Sequence, residues 1–190
     1  MPGPWLSAGS GCGLGRAAQP AWWMASAGRT APAGPTCGTT TPQQREDPTM
    51  NIEPQTPTTK NPPEQFAGDV WLDVIAVPHG PEQRAVVAKV RFAPGARTAW
   101  HSHARGQYLH VTQGRALFGG RDGTVIEVLP GQTLYTPPGE EHWHAAAPDA
   151  FMEHVAILEN ADDPATTTVW REHVSDAEYS GASDAGGPTD

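Results

Sequence analysis

Cysteine is nearly absent from this 190-residue chain: Cys12 and Cys37 are its only two, and none follows residue 50. The larger part of the protein therefore uses neither disulfides nor thiolate metal sites. Such sparse cysteine is typical of proteins from a reducing compartment, so we expect a cytoplasmic location.

The chain also lacks a basic stripe and a long apolar run. Its 12 Lys and Arg stand against 21 Asp and Glu, which gives a formal net charge of −9. Because an acidic surface repels nucleic acid and anionic lipid, neither is an expected partner. No segment approaches the ~20 apolar residues needed to cross a bilayer. These absences predict a soluble protein with no nucleic-acid or membrane partner.

Glycine and proline are, by contrast, abundant, with 21 and 20 residues. They form turn signals such as Pro94-Gly95 and Pro130-Gly131, and the runs between them are short and rich in β-branched and aromatic residues. Their even spacing predicts an all-β fold, an antiparallel barrel or jelly roll. The predicted strands are Val70 to Val77, Arg84 to Phe92, Gln107 to Thr112, Ala116 to Gly119, Val125 to Leu129, Thr133 to Thr136 and Phe151 to Leu158.

The composition divides the chain into four segments. Residues 1–49 are rich in Gly, Ala, Pro, Ser and Thr without periodicity, so we expect a disordered or spurious extension, with Met50 as the true start. A signal peptide is an alternative, but Pro20 and several glycines interrupt the apolar segment that it requires. Residues 50–65 are a lead-in, residues 66–174 form the barrel, and residues 175–190 form a short helical turn and a disordered tail.

Four side chains form the candidate metal site. His101 and His103 are two apart on a predicted strand, so they share a face about 6.6 Å apart along it. Gln107 keeps the same parity after a turn, and His142 opens a strand after the turn at 137–141. An isolated His-x-His pair is a weak indicator of a metal, so a barrel that has kept its histidines without a metal remains the alternative.

The spacing of these residues resembles the two cupin motifs. Gly95, His101, His103, Gln107 and Gly114 match the first motif, with Gln where Glu is usual. The second is matched by Gly131, Pro137, Gly139 and His142, whereas Ala146 stands in place of its closing Asn. The resemblance implies a cupin, a double-stranded β-helix or jelly-roll barrel, with the metal ligands His101, His103, Gln107 and His142.

The exchange of Glu for Gln bears on the chemistry of the metal. A neutral amide leaves the full charge on a divalent ion, so the site binds the ion less tightly but polarises oxygen more strongly. With three imidazoles, one oxygen and no thiolate, manganese fits best; Fe, Ni, Co and Zn are alternatives.

Three longer strings resemble the manganese-dependent cupin hydroxynitrile lyases and the related carboxymuconolactone decarboxylase-like cupins. They are residues 92–103 (FAPGARTAWHSH), 138–148 (PGEEHWHAAAP) and 170–179 (WREHVSDAEY). The resemblance implies that His154 contributes to the pocket as a proton carrier, and His144, which shares the parity of His142, is the second catalytic candidate. We expect the substrate pocket to include Ala88, Val90, Trp143, Met152 and Leu158.

The resemblance therefore predicts an enzyme that acts as a lyase on a small oxygenated molecule, cleaving a C–C bond with the metal as Lewis acid. Leu158 stands where a polar Gln is expected, which makes the pocket more apolar. A metal-dependent dioxygenase and a non-catalytic small-molecule binding cupin are the alternatives. By analogy with small cupins, we expect a homodimer or homotetramer, since sheet pairing also covers strand edges.

Overall fold

The computed structural model describes residues 50–184, which form two antiparallel β-sheets around a shared core. The expectations for residues 1–49 and for the end of the tail, residues 185–190, lie outside the described residues. No helix between residues 50 and 184 is long and apolar enough to cross a bilayer.

The first sheet contains the strands in the order β1-β3-β4-β11-β6-β9. Their bounds are β1 Thr59–Lys60, β3 Val70–Ala76, β4 Ala85–Phe92, β6 Gln107–Gly114, β9 Thr133–Thr136 and β11 Met152–Glu159.

The second sheet has the order β12-β5-β10-β7-β8, and β2 pairs with β5 beside this path. The bounds are β2 Phe66–Ala67, β5 Arg97–His103, β7 Ala116–Gly120, β8 Val125–Val128, β10 His142–Ala146 and β12 Thr168–His173. A 3₁₀ turn at Pro164–Thr166 precedes β12, and the helix α1, Asp176–Asp184, follows it.

All seven predicted runs overlap a strand, so the all-β prediction is confirmed. The sequence analysis did not predict β1, β2 or β12. β1 and β2 have two residues each, which is too short for a periodic pattern, and β12 was overlooked after a polar loop. β1 lies in the expected lead-in yet pairs with β3 through Thr59 and Lys60. The helix also extends past the predicted turn, to Asp184.

The core forms because alternate residues of each strand point to one side of a pleated sheet. In β4, Val86, Ala88, Val90 and Phe92 are buried, while the residues between them are more exposed. Apolar residues of this kind from both sheets form one cluster inside the barrel. The inward faces of β4, β6 and β11 supply one wall of the candidate site.

A second apolar cluster covers the outer face of the second sheet under α1. It is made of Trp100, Leu117, Trp143, Ala145, Val174 and Tyr179. A capping box begins the helix: the backbone N–H of Glu178 donates to Ser175 Oγ at 3.2 Å, and that of Ser175 donates to Glu178 Oε2 at 2.7 Å. The Tyr179 hydroxyl then donates to the Ala146 carbonyl at 2.7 Å, which fixes α1 onto β10.

Candidate functional site

Three histidines converge inside the barrel. His101 and His103 lie on β5, and His142 lies on the neighbouring β10 directly opposite His101. The ring centroid of His101 is 5.1 Å from that of His103 and 4.5 Å from that of His142. One nitrogen from each of the three buried rings lies within 4.8 Å of the others, a grouping that can hold a metal ion.

Gln107 reaches this cluster from the other sheet, at the start of β6. The turn before it contains Gly106 with a φ of +79°, a conformation that L side chains rarely adopt. Gln107 is buried, and its Oε1 lies 3.4 Å from His142 Nε2. The structure thus brings all four predicted ligands together.

Backbone carbonyls orient two of the rings. His101 Nδ1 lies 3.0 Å from the Ala99 carbonyl, and His142 Nδ1 lies 3.0 Å from the Glu140 carbonyl. Because a carbonyl only accepts, each Nδ1 carries the proton in a neutral ring, and Nε2 is left with a free lone pair. Outer partners of this kind fix both the tautomer and the orientation of metal-binding histidines.

The third ring is held by a side chain. His103 Nδ1 lies 3.1 Å from the hydroxyl of Thr168 on β12. His103 Nε2 is buried and lacks a hydrogen-bond partner among the described residues. β12 therefore takes part in the site through the residue that positions His103.

The donor set fits a divalent metal ion. His142 Nε2 and Gln107 Oε1 face each other as two acceptors, so nothing donates a proton between them. A cation at this place satisfies both atoms, as well as the unpartnered Nε2 of His103. Three imidazoles and one amide oxygen are suitable ligands for Mn, Fe, Co, Ni or Zn.

Burial lowers the pKa of every histidine in this region. Desolvation is the largest cause in each case, and for His101 the neighbouring His142 and His103 lower the pKa further. Desolvation, followed by the neighbouring His142, lowers the pKa of His103 to about 3, although the nearby Gln107 side chain and Thr167 backbone oppose the shift. Desolvation also lowers the pKa of His154 to about 3. All five rings are thus neutral at neutral pH, the form that binds metals.

His144 and His154 line the same space. The His144 ring stacks on His142 at 5.1 Å and lies 5.2 Å from His154 on β11. Both are buried, and neither Nε2 of His144 nor either ring nitrogen of His154 has a hydrogen-bond partner among the described residues. Unpartnered buried nitrogens are costly, so they indicate places where a bound molecule supplies the missing contact.

The neutral state of His154 predicts acid sensitivity of the metal-free protein. Between its ordinary pKa of 6.5 and its folded pKa of about 3, the unfolded chain binds a proton at this residue and the folded chain does not. We expect the His154 contribution to stability to be complete above pH 6.5 and to fall by about 1.4 kcal/mol for each pH unit below it.

Urea unfolding of chelator-treated protein between pH 7.5 and pH 4.5 measures this slope. His154→Asn, whose side chain does not titrate, is expected to make the free energy of unfolding less dependent on pH. An unchanged slope in His154→Asn would contradict the assignment.

A cavity of about 80 Å³ adjoins the histidines. His101, His103, Gln107, His144 and His154 form its polar end, and its other walls are almost entirely apolar. The apolar and weakly polar lining residues are Phe66, Leu72, Val86, Ala88, Val90, Phe92, Thr98, Ala156, Leu158, Thr168 and Trp170. Of the expected pocket residues, the structure places Ala88, Val90 and Leu158 on this wall.

The structure corrects two expected pocket residues. Trp143 lies between two inward-facing histidines, so its side chain points to the outer face of β10. Its ring covers Gly119, where an added Cβ would come within 2.4 Å of it, and forms an edge contact with Trp100 at 6.5 Å. Met152 faces inward but is fully buried in the core beside Phe92, its register partner, and does not line the cavity.

The sequence analysis missed the contribution of β12. Thr168 holds His103, and the ring of Trp170 lies 4.7 Å from that of His101. The signal was present: residues 166–170 (TTTVW) are all β-branched or aromatic, the composition favoured in strands. Phe66 on β2 also lines the cavity and was missed, because a two-residue strand carries no pattern.

Comparison with known proteins agrees with this architecture. The family model described as a cupin domain matches residues 88–157. An (R)-mandelonitrile lyase from Granulicella tundricola is 44% identical over 121 residues, which cover 63% of this chain and 89% of the relative. The chain belongs to the cupin family. The resemblance found in the sequence motifs is thereby confirmed.

Two crystal structures show the same fold. A cupin-like protein from Thermotoga maritima is 31% identical, with a TM-score of 0.62 over 71% of this chain and 98% of its own. The polyketide cyclase RemF from Streptomyces resistomycificus has a TM-score of 0.54 at 20% identity and covers 69% of this chain and 91% of its own. At that identity the second likeness concerns the fold alone. The cupin barrel thus accounts for the described part of the chain, and the three-histidine cluster lies inside it.

Proposed function

We propose that this cupin is a metal-dependent lyase that cleaves the carbon–carbon bond of a small hydroxy compound, as a hydroxynitrile lyase does. The observation that carries the proposal is the convergence of three neutral imidazoles and the Gln107 amide at the polar end of an apolar cavity. The mandelonitrile lyase that is 44% identical supports the same chemistry.

The ligands in this proposal are His101, His103, His142 and Gln107, with manganese as the preferred metal and Fe, Ni, Co or Zn as alternatives. When bound, the metal supplies a Lewis acid that stabilises negative charge on the substrate oxygen. Thr168 and the carbonyls of Ala99 and Glu140 keep the three imidazoles oriented toward one point. The three imidazoles are thus held before any substrate binds, so they need little reorganisation.

His154 is the proposed proton carrier, with His144 as its neighbour. Its side chain lines the cavity, neither ring nitrogen has a hydrogen-bond partner among the described residues, and its neutral imidazole is able to accept the proton of a substrate hydroxyl. As that proton leaves, the carbonyl forms and the bond to the nitrile carbon breaks, with its electron pair leaving on cyanide. Cyanide then takes the proton from the imidazolium, which gives an aldehyde, hydrogen cyanide and the neutral histidine.

The apolar wall sets the proposed substrate class. Ala88 and Val90 are small, and Leu158 adds a bulky apolar group where the resemblance implied a polar one. A wall that is almost entirely apolar favours an apolar substituent such as an aryl group and excludes water from the reacting centre. We therefore propose aromatic cyanohydrins as substrates.

The proposal also covers the domain bounds, the oligomeric state and the location of the protein. We propose that residues 66–174 form the catalytic barrel, that the chain acts as a homodimer or homotetramer, and that it is located in the cytoplasm. None of these features is required for the chemistry proposed above.

Mandelonitrile cleavage tests the proposed function. The full chain, loaded with Mn²⁺, is expected to release benzaldehyde and cyanide in equal amounts at a rate that scales with metal content, without consuming oxygen. Chelator-treated protein provides the control. Oxygen uptake coupled to turnover would contradict the lyase and favour a dioxygenase, and absence of cleavage across a panel of aryl cyanohydrins would overturn the proposal.

A further inference from the structure

Glu141, the residue directly before the ligand His142, forms ion pairs with two arginines. Its Oε2 accepts from Arg121 Nε at 2.8 Å, and its Oε1 accepts from Arg171 Nε at 2.8 Å. Arg121 also pairs with Glu172 at 2.7 Å. We call Glu141, Arg121, Arg171 and Glu172 the ion network. Each carboxylate oxygen of Glu141 thus has its own arginine, and the reaction proposed above uses none of these four side chains.

The ion network lies one residue away from a row of paired residues that crosses four strands of the second sheet. In that row each residue pairs with the next: Trp170 on β12, His101 on β5, His142 on β10 and Gly120 on β7. Arg171 follows the first member of the row, Glu141 precedes the third and Arg121 follows the last. The ion network therefore joins β7, β10 and β12 across β5, and the three histidines lie on two of these strands.

The backbone on either side of Glu141 both orients and carries a ligand. The Glu140 carbonyl accepts from His142 Nδ1 at 3.0 Å, and His142 itself follows Glu141. The Gly139 N–H donates to the His103 carbonyl at 2.8 Å, which anchors the same turn two residues earlier. The Glu141 side chain is thus the anchor of this turn that lies next to the ligand.

One arm of the ion network is held in place by an aromatic ring. The Arg121 guanidinium lies 3.9 Å from the centroid of the Trp100 ring, and Trp100 is buried. A planar guanidinium on an aromatic face is oriented before it meets a carboxylate. Isolated surface ion pairs contribute little, but networks of fixed geometry are the exception. The ion network is therefore able to restrain the backbone before His142.

We infer that Glu141 is a positioning residue for the metal site: its carboxylate, held by Arg121 and Arg171, fixes the backbone that carries and orients the His142 imidazole. The inference rests on the ligand set of the proposed function and not on the reaction. Glu141 is not among the residues that line the cavity. Outer partners of metal-binding histidines contribute about 10- to 100-fold in metal affinity, and Glu141 acts through the backbone, so we expect the lower end of that range.

Glu141→Gln tests the inference on the full chain. Glutamine keeps the length of the side chain but replaces one accepting oxygen with an N–H₂ group, which faces an arginine that only donates. We expect calorimetric titration to show about 10-fold weaker binding of Mn²⁺ than in the wild type. We also expect the visible absorption bands of bound Co²⁺, which report the ligand geometry, to shift. Arg171→Gln removes only the contact with β12 and is expected to change both readouts in the same direction.

Glu127→Gln is the matched control. Glu127, on β8 of the same sheet, accepts from Arg115 Nε at 2.9 Å, and its side chain is 26% exposed, against 28% for Glu141. Because β8 carries no ligand, this variant is expected to bind Mn²⁺ and Co²⁺ as the wild type does.

Circular dichroism checks that each variant is folded, and Arg171→Gln decides the test if Glu141→Gln does not fold. Unchanged Mn²⁺ affinity and an unshifted Co²⁺ spectrum in the folded variant would overturn the inference, as would an equal loss of affinity in Glu127→Gln. A wild-type protein that binds no metal would overturn the proposed function together with the inference. The expected changes in metal binding, in a protein that does not cleave mandelonitrile, would support the inference and reject the lyase.

Discussion

His103→Ala is expected to abolish stoichiometric metal binding and to reduce turnover by more than 100-fold. The substitution removes one of the three imidazoles and leaves two rings and a neutral amide, which hold a divalent ion weakly. Loss of an outer hydrogen-bond partner alone typically costs about 10- to 100-fold in metal affinity, and loss of a ligand costs more. Elemental analysis after dialysis and calorimetric titration with Mn²⁺ measure the effect.

The control for this experiment is His110→Ala. His110 lies on the outward face of β6, where its Nδ1 is 2.9 Å from the Thr133 hydroxyl. The substitution therefore removes a histidine without altering the cluster. We expect one metal per chain in His110→Ala and in the wild type. Retention of one metal per chain in His103→Ala would contradict the ligand assignment.

His154→Asn is expected to lower kcat for mandelonitrile by about 10²- to 10⁴-fold and to leave metal content unchanged. Asparagine fills part of the same space and keeps hydrogen-bonding atoms, but it is unable to carry the proton, and loss of a general base has effects of this size. Stopped-flow measurement of benzaldehyde release gives kcat and KM, and elemental analysis of the same sample gives the metal content.

A KM close to that of the wild type would show that binding survives and that the proton step is affected. If kcat of His154→Asn stayed within a few-fold of the wild type, His154 would be part of the cavity wall and not the proton carrier. Loss of metal together with activity would instead show that His154 supports the ligand cluster. The metal content that we expect to remain unchanged would exclude this role.

The sequence was sufficient to predict the four candidate ligands because the constraints on them are local. Strand parity aligns His101 with His103, and the fixed spacing of glycines and prolines identifies the turns that lead to Gln107 and His142. The same parity could have corrected Trp143: if His142 and His144 face inward, the residue between them faces out. That correction needed no structure, only consistent use of the two-residue period.

The role of β12 in the site was not recognisable in this way, since it depends on pairing between distant segments. Thr168 pairs with His103 and Trp170 with His101 across more than sixty residues of chain. Such register is set by the packing of whole sheets, which no local pattern specifies. Met152 is a second example. Its parity, which it shares with His154, predicts that it faces inward, but only its position along the barrel places it in the core and not at the cavity.

The sequence by itself therefore determined an all-β cupin barrel, its four candidate ligands and the inward position of His144 and His154. Only the tertiary structure decided which apolar residues line the cavity and which residue holds His103. The physical reason is that alternation along a strand fixes the face on which a side chain lies, whereas the neighbours it meets are chosen by the register of strands that are remote in sequence.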